Sequence, residues 1–457
     1  MVEDPIPYRV DGEVGRLTFS CHHATREGST IFDTSREVFP KLTGKEWYRT
    51  VGFKELAIVH GSLGGSYRRT MLLVNRVRHQ PKATPLRTLQ DAMEEEGVAV
   101  GEALDQEARR ILREEGFDET TLTPTTPPGE RAASKALHLA PEVVDAALRA
   151  VAPDEQTRSA MQRNPVKYED PSAAVNVSID DVLAKKQKEH RERPRRTAAA
   201  TARATSGATV PAAEPLDSPA PNGNAAPKSQ SNVADEEKKR VHTTIAHVET
   251  PAGKRLFASA GALSTCLLVV AFLVANKQIG STWMFFVDGQ RSLQDLLLRV
   301  FAWQGTLQLI LDWYHVVKKC KEKLSEAMNN RHARNDAVKL ILRPLWYGDV
   351  DAAIASLRQL EPKYIKAAAA IDGLVGYLER NRSYIPCYAV RKKLGLRNSS
   401  NRGEKANDVV VATRQKHKGM SWSQVGSSAL AALQALVCND NHGQWFEERT
   451  VDLHLAA

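Results

Sequence analysis

Two stretches decide which fold this chain can adopt: WMFFVDGQRSLQDL at residues 283–296 and LQLILDWYHVVKK at residues 307–319. Each begins with a short apolar run, which is typical of a buried strand, and each run ends in an acid, Asp288 in the first and Asp312 in the second. Open α/β sheets build their sites at the carboxyl ends of their strands. The two stretches therefore predict an α/β sheet that carries acidic groups at one edge.

The composition limits the class of protein. A chain of 457 residues with 42% hydrophobic content is long enough for more than one domain and can bury at least one core. Its formal net charge of +9 favours a polyanionic partner, either nucleic acid or an anionic membrane. The 5 cysteines are scattered and lack zinc-site spacing, which favours a reducing compartment. The N-terminus has no signal-peptide pattern, so we predict a cytoplasmic protein.

One apolar segment, residues 256–275, is long enough to cross a bilayer and is flanked by basic residues. It lies between strand-like segments, however, where a fully buried helix has the same composition. We therefore predict a core helix and no membrane span. A membrane-anchored regulator is the alternative that this segment leaves open.

The N-terminal region has a helix-turn-helix pattern, with helices predicted over residues 45–61 and 66–80 and SLGG between them. Ser66 is the expected N-cap, and Met71, Leu72 and Val74 are expected to pack inward. A solvated basic helix face is the alternative. The side chains predicted to contact DNA from this element are Arg68, Arg69, Arg76 and Arg78.

The central part of the chain begins with a half-buried strand, because Val175, Val177 and Ile179 alternate with polar residues before Asp180 and Asp181. After a low-complexity insertion, the pattern continues as two more strands, an apolar helix and two strand-and-helix steps. An RNase H-like mixed sheet has this order. The predicted fold class is thus α/β: an RNase H-like mixed sheet with an all-α insertion, preceded by a helical DNA-binding region.

Carboxylates from separate elements would meet at one edge of such a sheet. Phosphodiester cleavage by an activated water needs hard oxygen ligands for two magnesium ions, which three acids can supply. Asp180 and Asp288 are the candidates on strands, and Glu404 is the candidate on a later helix. Asp181 competes with Asp180, and Asp408 competes with Glu404 from one helical turn away.

Six stretches resemble a known family: VSIDDV, FFVDGQRSL, ILDWYHVVKKCKE, LWYGDVDAAI, YLERNRSYI and GEKANDVVVATRQKHKGMSWS. They resemble bacterial insertion-sequence transposases of the DDE class, close to the Mutator-like group, in which a helical insertion precedes the final glutamate. The resemblance implies a metal triad of Asp180, Asp288 and Glu404, with Asp312 and His315 as a supporting pair. It also implies two Mg²⁺ ions, for which Mn²⁺ can substitute, and a homo-oligomer on the DNA of the nucleoid.

The region around Glu404 is strongly basic, with 11 Lys or Arg between residues 380 and 418 against Glu404 and Asp408. Such a surface attracts phosphate backbones, although a solvated basic helix would have the same composition. The side chains predicted to contact DNA here are Arg402, Lys405, Arg414, Lys416 and Lys418. A non-catalytic DNA-binding relative, either domesticated or a repressor, remains the alternative to a transposase.

The predicted domain organisation follows from these patterns. Residues 1–125 form the N-terminal DNA-binding region and 126–170 connecting helices or a linker. Residues 171–323 form the first part of the catalytic core, with a disordered insertion at about 194–235. Residues 324–398 form the helical insertion, and 399–457 the C-terminal helices that carry the last acid.

Overall fold

The computed structural model has a mixed α/β architecture built on a five-stranded mixed sheet. It describes residues 6–12, 15–21, 23–26, 29–33, 47–62, 66–79, 84–125, 138–187, 239–416 and 420–455. The low-complexity insertion predicted at about 194–235 and Lys418 lie outside the described residues.

The N-terminal region begins with short strands that were not predicted from the sequence. An antiparallel hairpin is formed by β1 (Ile6–Gly12) and β2 (Gly15–Cys21), and β5 (Trp47–Arg49) pairs in parallel with β1. A separate hairpin joins β3 (His23–Arg26) and β4 (Ser29–Asp33). The prediction of one helix over residues 45–61 is therefore wrong at its start, because residues 47–49 are paired into a sheet.

The two predicted helices of this region are present, as α1 (Val51–Ser62) and α2 (Tyr67–Val77). Ser66 is the N-cap of α2, since its Oγ accepts a hydrogen bond of 3.2 Å from the Arg69 amide. Val74 is fully buried, but Leu72 is 57% exposed, which corrects the prediction that it packs inward. A long helix, α3 (Leu86–Glu114), follows.

The five-stranded sheet has the order β10-β9-β6-β7-β8. The strand β7 is antiparallel to both β6 and β8, whereas β9 is parallel to both β6 and β10. The order of strands and helices predicted for this part of the chain is confirmed. The strands are β6 (Ala174–Lys185), β7 (Arg240–Thr250), β8 (Gly253–Ser259), β9 (Thr282–Val287) and β10 (Leu307–Leu311).

The apolar segment at residues 256–275 divides between β8 and the helix α6 (Ala262–Ala275). This helix packs against β7 and β8 on one side and against α3 on another, so it is apolar nearly all round. Ile111 and Leu112 of α3 lie in the same core as the sheet. In the described part of the chain, no helix has the length and apolar character needed to cross a membrane.

Helices make up most of the remaining described chain, including the predicted helical insertion. Two of them, α4 (Pro141–Val151) and α5 (Glu155–Gln162), precede the sheet. The next are α7 (Arg291–Val300), α8 (Trp313–Ala327), α9 (Arg331–Trp346), α10 (Val350–Arg358), α11 (Ala368–Arg380) and α12 (Tyr388–Lys393). The last are α13 (Asn401–Asn407), a π-helical segment (Asp408–Ala412), α14 (Thr413–Gln415), α15 (Gln424–Cys438) and α16 (His442–Glu448).

A buried acid joins the N-terminal helices to the C-terminal one. Glu96 of α3 is 2% exposed and accepts bonds of 2.7 Å from Lys54, 2.6 Å from Arg449 and 3.1 Å from the Trp445 indole. Burial alone would raise the pKa of Glu96, but the bonds from Arg449 and Lys54 outweigh it and hold the pKa below its usual value. This carboxylate therefore links α1, α3 and α16.

Candidate active site

The pairing of β6 with β9 brings the first two predicted acids together. In this parallel pair, Ser178 lies in register with Phe286. Two residues further along the chain from these partners are Asp180, still on β6, and Asp288, just beyond β9, and both line the same small cavity. The charge of Asp288 contributes to the raised pKa of Asp180, which also requires the two carboxylates to be close.

The strand that carries Asp180 does not end there, which corrects the expectation of a strand ending in acids. It continues to Lys185 because β7 pairs with it along residues 176–185. Successive side chains point to opposite faces, so Asp180 and Asp181 separate. Asp181 is exposed and accepts a hydrogen bond from Thr244 outside the cavity. Of the two acids, Asp180 is the one that reaches Asp288.

The helix α13 supplies the third acid by lying directly on β6. Gly403 makes this contact possible, since a Cβ at residue 403 would fall 2.7 Å from the Ser178 Cβ. Glu404, the next residue, lines the cavity with Asp180 and Asp288. The structure thus brings together the three acids that the sequence predicted, from three separate elements.

Asn407, rather than Asp408, shares the cavity with Glu404. The Asn407 side-chain amide donates a hydrogen bond of 2.6 Å to Asp180 Oδ2. Asp408 is exposed and begins the π-helical segment. A residue three positions after Glu404 lies on the same helix face, and that spacing could have indicated Asn407 from the sequence.

Asp288 also has the turn-forming contact typical of an Asp-Gly pair. Its Oδ1 accepts a hydrogen bond of 2.8 Å from the Gln290 amide. Gly289 has φ +88°, and a Cβ there would lie 2.7 Å from the Tyr377 ring. The Tyr377 hydroxyl donates to the Asp288 carbonyl at 3.3 Å. The turn therefore fixes the position of Asp288 relative to α11 of the helical insertion.

Asp312 is the N-cap of α8 and is 1% exposed. Its Oδ1 accepts a hydrogen bond of 2.7 Å from the Tyr314 amide, and its Oδ2 accepts one of 2.5 Å from the Ser400 hydroxyl. These contacts tie α8 to the start of α13. Asp312 itself does not line the cavity.

His315 lies between Asp312 and Glu404. Its Nδ1 is 3.7 Å from Asp312 Oδ1 and its Nε2 is 3.7 Å from Glu404 Oε1. Burial alone would lower the pKa of His315, but Asp312, Asp288 and Glu404 outweigh it and raise the pKa above its usual value. The arrangement favours a cationic imidazole beside the acids.

The site is short of positive charge. Burial, first, and the charge of Asp288, second, raise the pKa of Asp180 to about 6. Burial and the charges of Asp312 and Asp408 raise the pKa of Glu404 above its usual value, although His315 opposes them. Both shifts have the sign expected where carboxylates are crowded together without enough cations.

His247 lines the cavity and was not predicted. It lies on β7 directly opposite Ser178, so the two side chains share a face of the sheet. Burial lowers the pKa of His247 to about 4 despite the nearby charge of Glu249, and the ring is neutral at physiological pH. The sequence shows the alternation of β7 but not its register with β6, which is what brings His247 to the site.

Two predicted DNA-contacting arginines are buried, and these predictions are wrong. Arg78 is 1% exposed and donates to Thr84 with its guanidinium over the Phe53 ring. Arg414 is 0% exposed and lies 4.3 Å from the Tyr67 ring centroid. The π-helical segment before α14 turns residue 414 inward. The other residues that were predicted to contact DNA and that the structure describes are exposed, namely Arg68, Arg69, Arg76, Arg402, Lys405 and Lys416.

The donors in the cavity match Mg²⁺ in type, since the ion prefers carboxylate oxygens. In the described residues, however, no group of three or more His, Cys, Asp or Glu side chains converges closely enough to hold a metal ion. Asp180 is bonded to Asn407, and Glu404 faces His315. The acids fit the ion in chemistry and line one cavity, but their side chains would have to move together to coordinate it, with Asp180 giving up its bond to Asn407 and Glu404 its contact with His315.

Comparisons of the chain with protein-family models, with curated proteins and with solved structures return no match.

Proposed function

We propose that this protein is a DNA transposase of the DDE class. One observation carries the proposal: Asp180, Asp288 and Glu404, far apart in the chain and on three different elements, line one cavity. Buried acids are costly unless they have a function or a partner, and the raised pKa of Asp180 reflects that cost. The cavity is therefore best explained as a site that receives cations.

The topology supports an RNase H-like core. Three antiparallel strands come first, and two helix-linked parallel strands then add to the other side of the first strand. In this arrangement Asp180 is on the central strand and Asp288 just beyond its parallel neighbour. The third acid comes from a helix packed across that strand, and a helical insertion precedes it.

Each residue of the site has a distinct task in the proposed reaction. Asp180, Asp288 and Glu404 would hold two Mg²⁺ ions, which activate the attacking oxygen and stabilise the leaving oxygen of an in-line displacement at phosphorus. Asp312 holds the start of α13 through Ser400 and thereby positions Glu404. His315, with its Nε2 3.7 Å from Glu404 Oε1, would help to position that carboxylate.

The proposed substrates are the ends of the mobile element that encodes the protein, and target DNA. Hydrolysis frees a 3′-hydroxyl at an element end and leaves a 5′-phosphate on the other fragment. That hydroxyl then attacks a target phosphodiester at the same site, which joins it to the target's 5′-phosphate and releases the target's 3′-hydroxyl. Two ends must be joined, so we propose a homo-oligomer on DNA. The exposed Arg402 and Lys405 lie on α13 beside Glu404, where they can contact phosphates.

The proposal is tested by incubating the protein with Mg²⁺, labelled duplexes from the DNA flanking its gene, and a plasmid target. We expect nicks that leave 3′-hydroxyls, followed by joining of those ends to the plasmid. An Asp288→Ala variant of equal thermal stability should do neither. Equal nicking by both proteins would overturn the proposed chemistry, and duplex binding without nicking would favour a non-catalytic DNA-binding protein.

A further inference from the structure

A groove of about 480 Å³, separate from the cavity that the acids line, carries four exposed cationic side chains. Its cationic residues come from three places in the chain: Lys185 ends β6, Lys239 precedes β7 and Arg240 begins it, and Lys416 follows α14. None of the described residues that line this groove is an acid. In the described part of the chain, none of the four side chains is in an ion pair.

Like charges face each other directly in this groove. Lys185 and Arg240 are register partners in the antiparallel pair of β6 and β7, so their side chains project from the same face. Like charges placed opposite each other destabilise a sheet unless an anion offsets them. The arrangement is consistent with a surface that receives an external polyanion.

The groove uses the same strand and the same helical run as the candidate active site, but it is a separate surface. Lys185 lies five residues after Asp180 on β6, so its side chain is on the opposite face of the strand, the face of Asp181. Lys416 lies 12 residues after Glu404, beyond the π-helical segment and α14.

We infer that this groove binds the phosphate backbone of duplex DNA. A concave groove suits a rod-shaped polyanion, whereas a flat anionic membrane is contacted by projecting surfaces. The inference does not rest on the proposed function, because DNA can bind in the groove without being cleaved at the acids.

The binding test uses the full chain with Asp288→Ala, so that the DNA stays intact. Affinity for a fluorescent duplex of arbitrary sequence is measured by anisotropy over a series of salt concentrations. Adding Lys185→Gln and Lys416→Gln should reduce the slope of log affinity against log salt by about 2, because each phosphate contact contributes about 0.9. The matched control adds Lys321→Gln and Lys366→Gln instead, which change two exposed lysines in the mainly helical region after β10. The slope of this control should be unchanged.

An unchanged slope in the Lys185 and Lys416 variant would overturn the inference. So would binding to phosphatidylserine vesicles in place of duplex DNA. If the wild type does not nick DNA but the Lys185 and Lys416 variant has a reduced slope, the groove inference is supported and the transposase proposal is rejected. If the wild type nicks DNA but the slope of the variant is unchanged, the transposase proposal is supported and the groove inference is rejected.

Discussion

Gly403 lies against Ser178 so closely that a Cβ at residue 403 would fall 2.7 Å from the Ser178 Cβ and 3.1 Å from its Oγ. This contact sets how far α13 stands from β6, and therefore how far Glu404 lies from Asp180. A side chain at residue 403 must push the helix and the strand apart.

Gly403→Ala should therefore reduce the nicking rate by about 10²-fold, the size of effect expected from misplacing a catalytic group by about 1 Å. Nicking is measured with Mg²⁺ on labelled duplexes, beside thermal melting of each variant. Gly373→Ala is the matched control, because Gly373 is also helical but has open space at its Cβ. Normal nicking by a well-folded Gly403→Ala protein would show that the spacing of α13 and β6 does not matter to the chemistry.

Asp180→Asn and Asp181→Asn should behave oppositely although the residues are neighbours. Asp180 faces Asp288 in the cavity, whereas Asp181 points to the other face and bonds Thr244. We expect nicking by Asp180→Asn to fall below detection and nicking by Asp181→Asn to stay within a few-fold of wild type. The reverse ranking in the same nicking assay would assign the site to Asp181.

Glu96→Gln should destabilise the protein in a pH-dependent way. The pKa of Glu96 is lower in the folded protein than its usual value. The contribution of Glu96 to the free energy of unfolding is therefore fully present at pH values above its unfolded-state pKa. That contribution is lost as the pH falls through the folded-state pKa. At pH 7 we expect a loss of about 3 kcal/mol, typical of removing one partner from a buried pair.

The measurement is urea unfolding of wild type and Glu96→Gln at pH 7 and at steps below pH 4.5. The difference in unfolding free energy should shrink as the pH is lowered. Glu95→Gln is the control: Glu95 pairs with Arg49 at 3.0 Å but is 57% exposed, so its effect should stay below about 1 kcal/mol. A difference that grows on acidification would contradict the lowered pKa of Glu96.

The ion pair between Arg391 and Glu169 gives a second stability prediction. The two side chains are 0% and 2% exposed and form two bonds of 2.6 Å, which attach α12 to the segment before β6. Glu169→Gln leaves a buried guanidinium without its counter-charge and should cost about 3–5 kcal/mol. Asp351→Asn, which removes an exposed pair with Arg382, should cost less than about 1 kcal/mol in the same unfolding experiment.

Much of the sheet and the acids could be predicted from the sequence because they depend on local pattern. The apolar runs before Asp288 and Asp312 predict β9 and β10, and alternation before Asp180 predicts β6. What local pattern cannot show is register. The face-to-face position of His247 and Ser178 depends on which residues of β7 and β6 pair, and no spacing within either strand determines that.

The two buried arginines show a different limit. Regular helical steps from Glu404 would put Arg414 on the same exposed face, but the π-helical segment between them rotates the residues that follow it about the helix axis. Arg414 then lies over Tyr67, a residue distant in the chain. The burial of a cation against aromatic rings depends on tertiary contacts that composition does not reveal.

The central claim is that Asp180, Asp288 and Glu404 form one cation site, and Mn²⁺ binding tests it most directly. Binding is measured by electron paramagnetic resonance for wild type, Asp180→Asn, Asp288→Asn and Glu404→Gln. Asp408→Asn is the control, since Asp408 is exposed and outside the cavity. We expect each of the three site variants to lose at least tenfold in Mn²⁺ affinity while the control binds as wild type. Wild-type affinity in all three site variants would contradict the account.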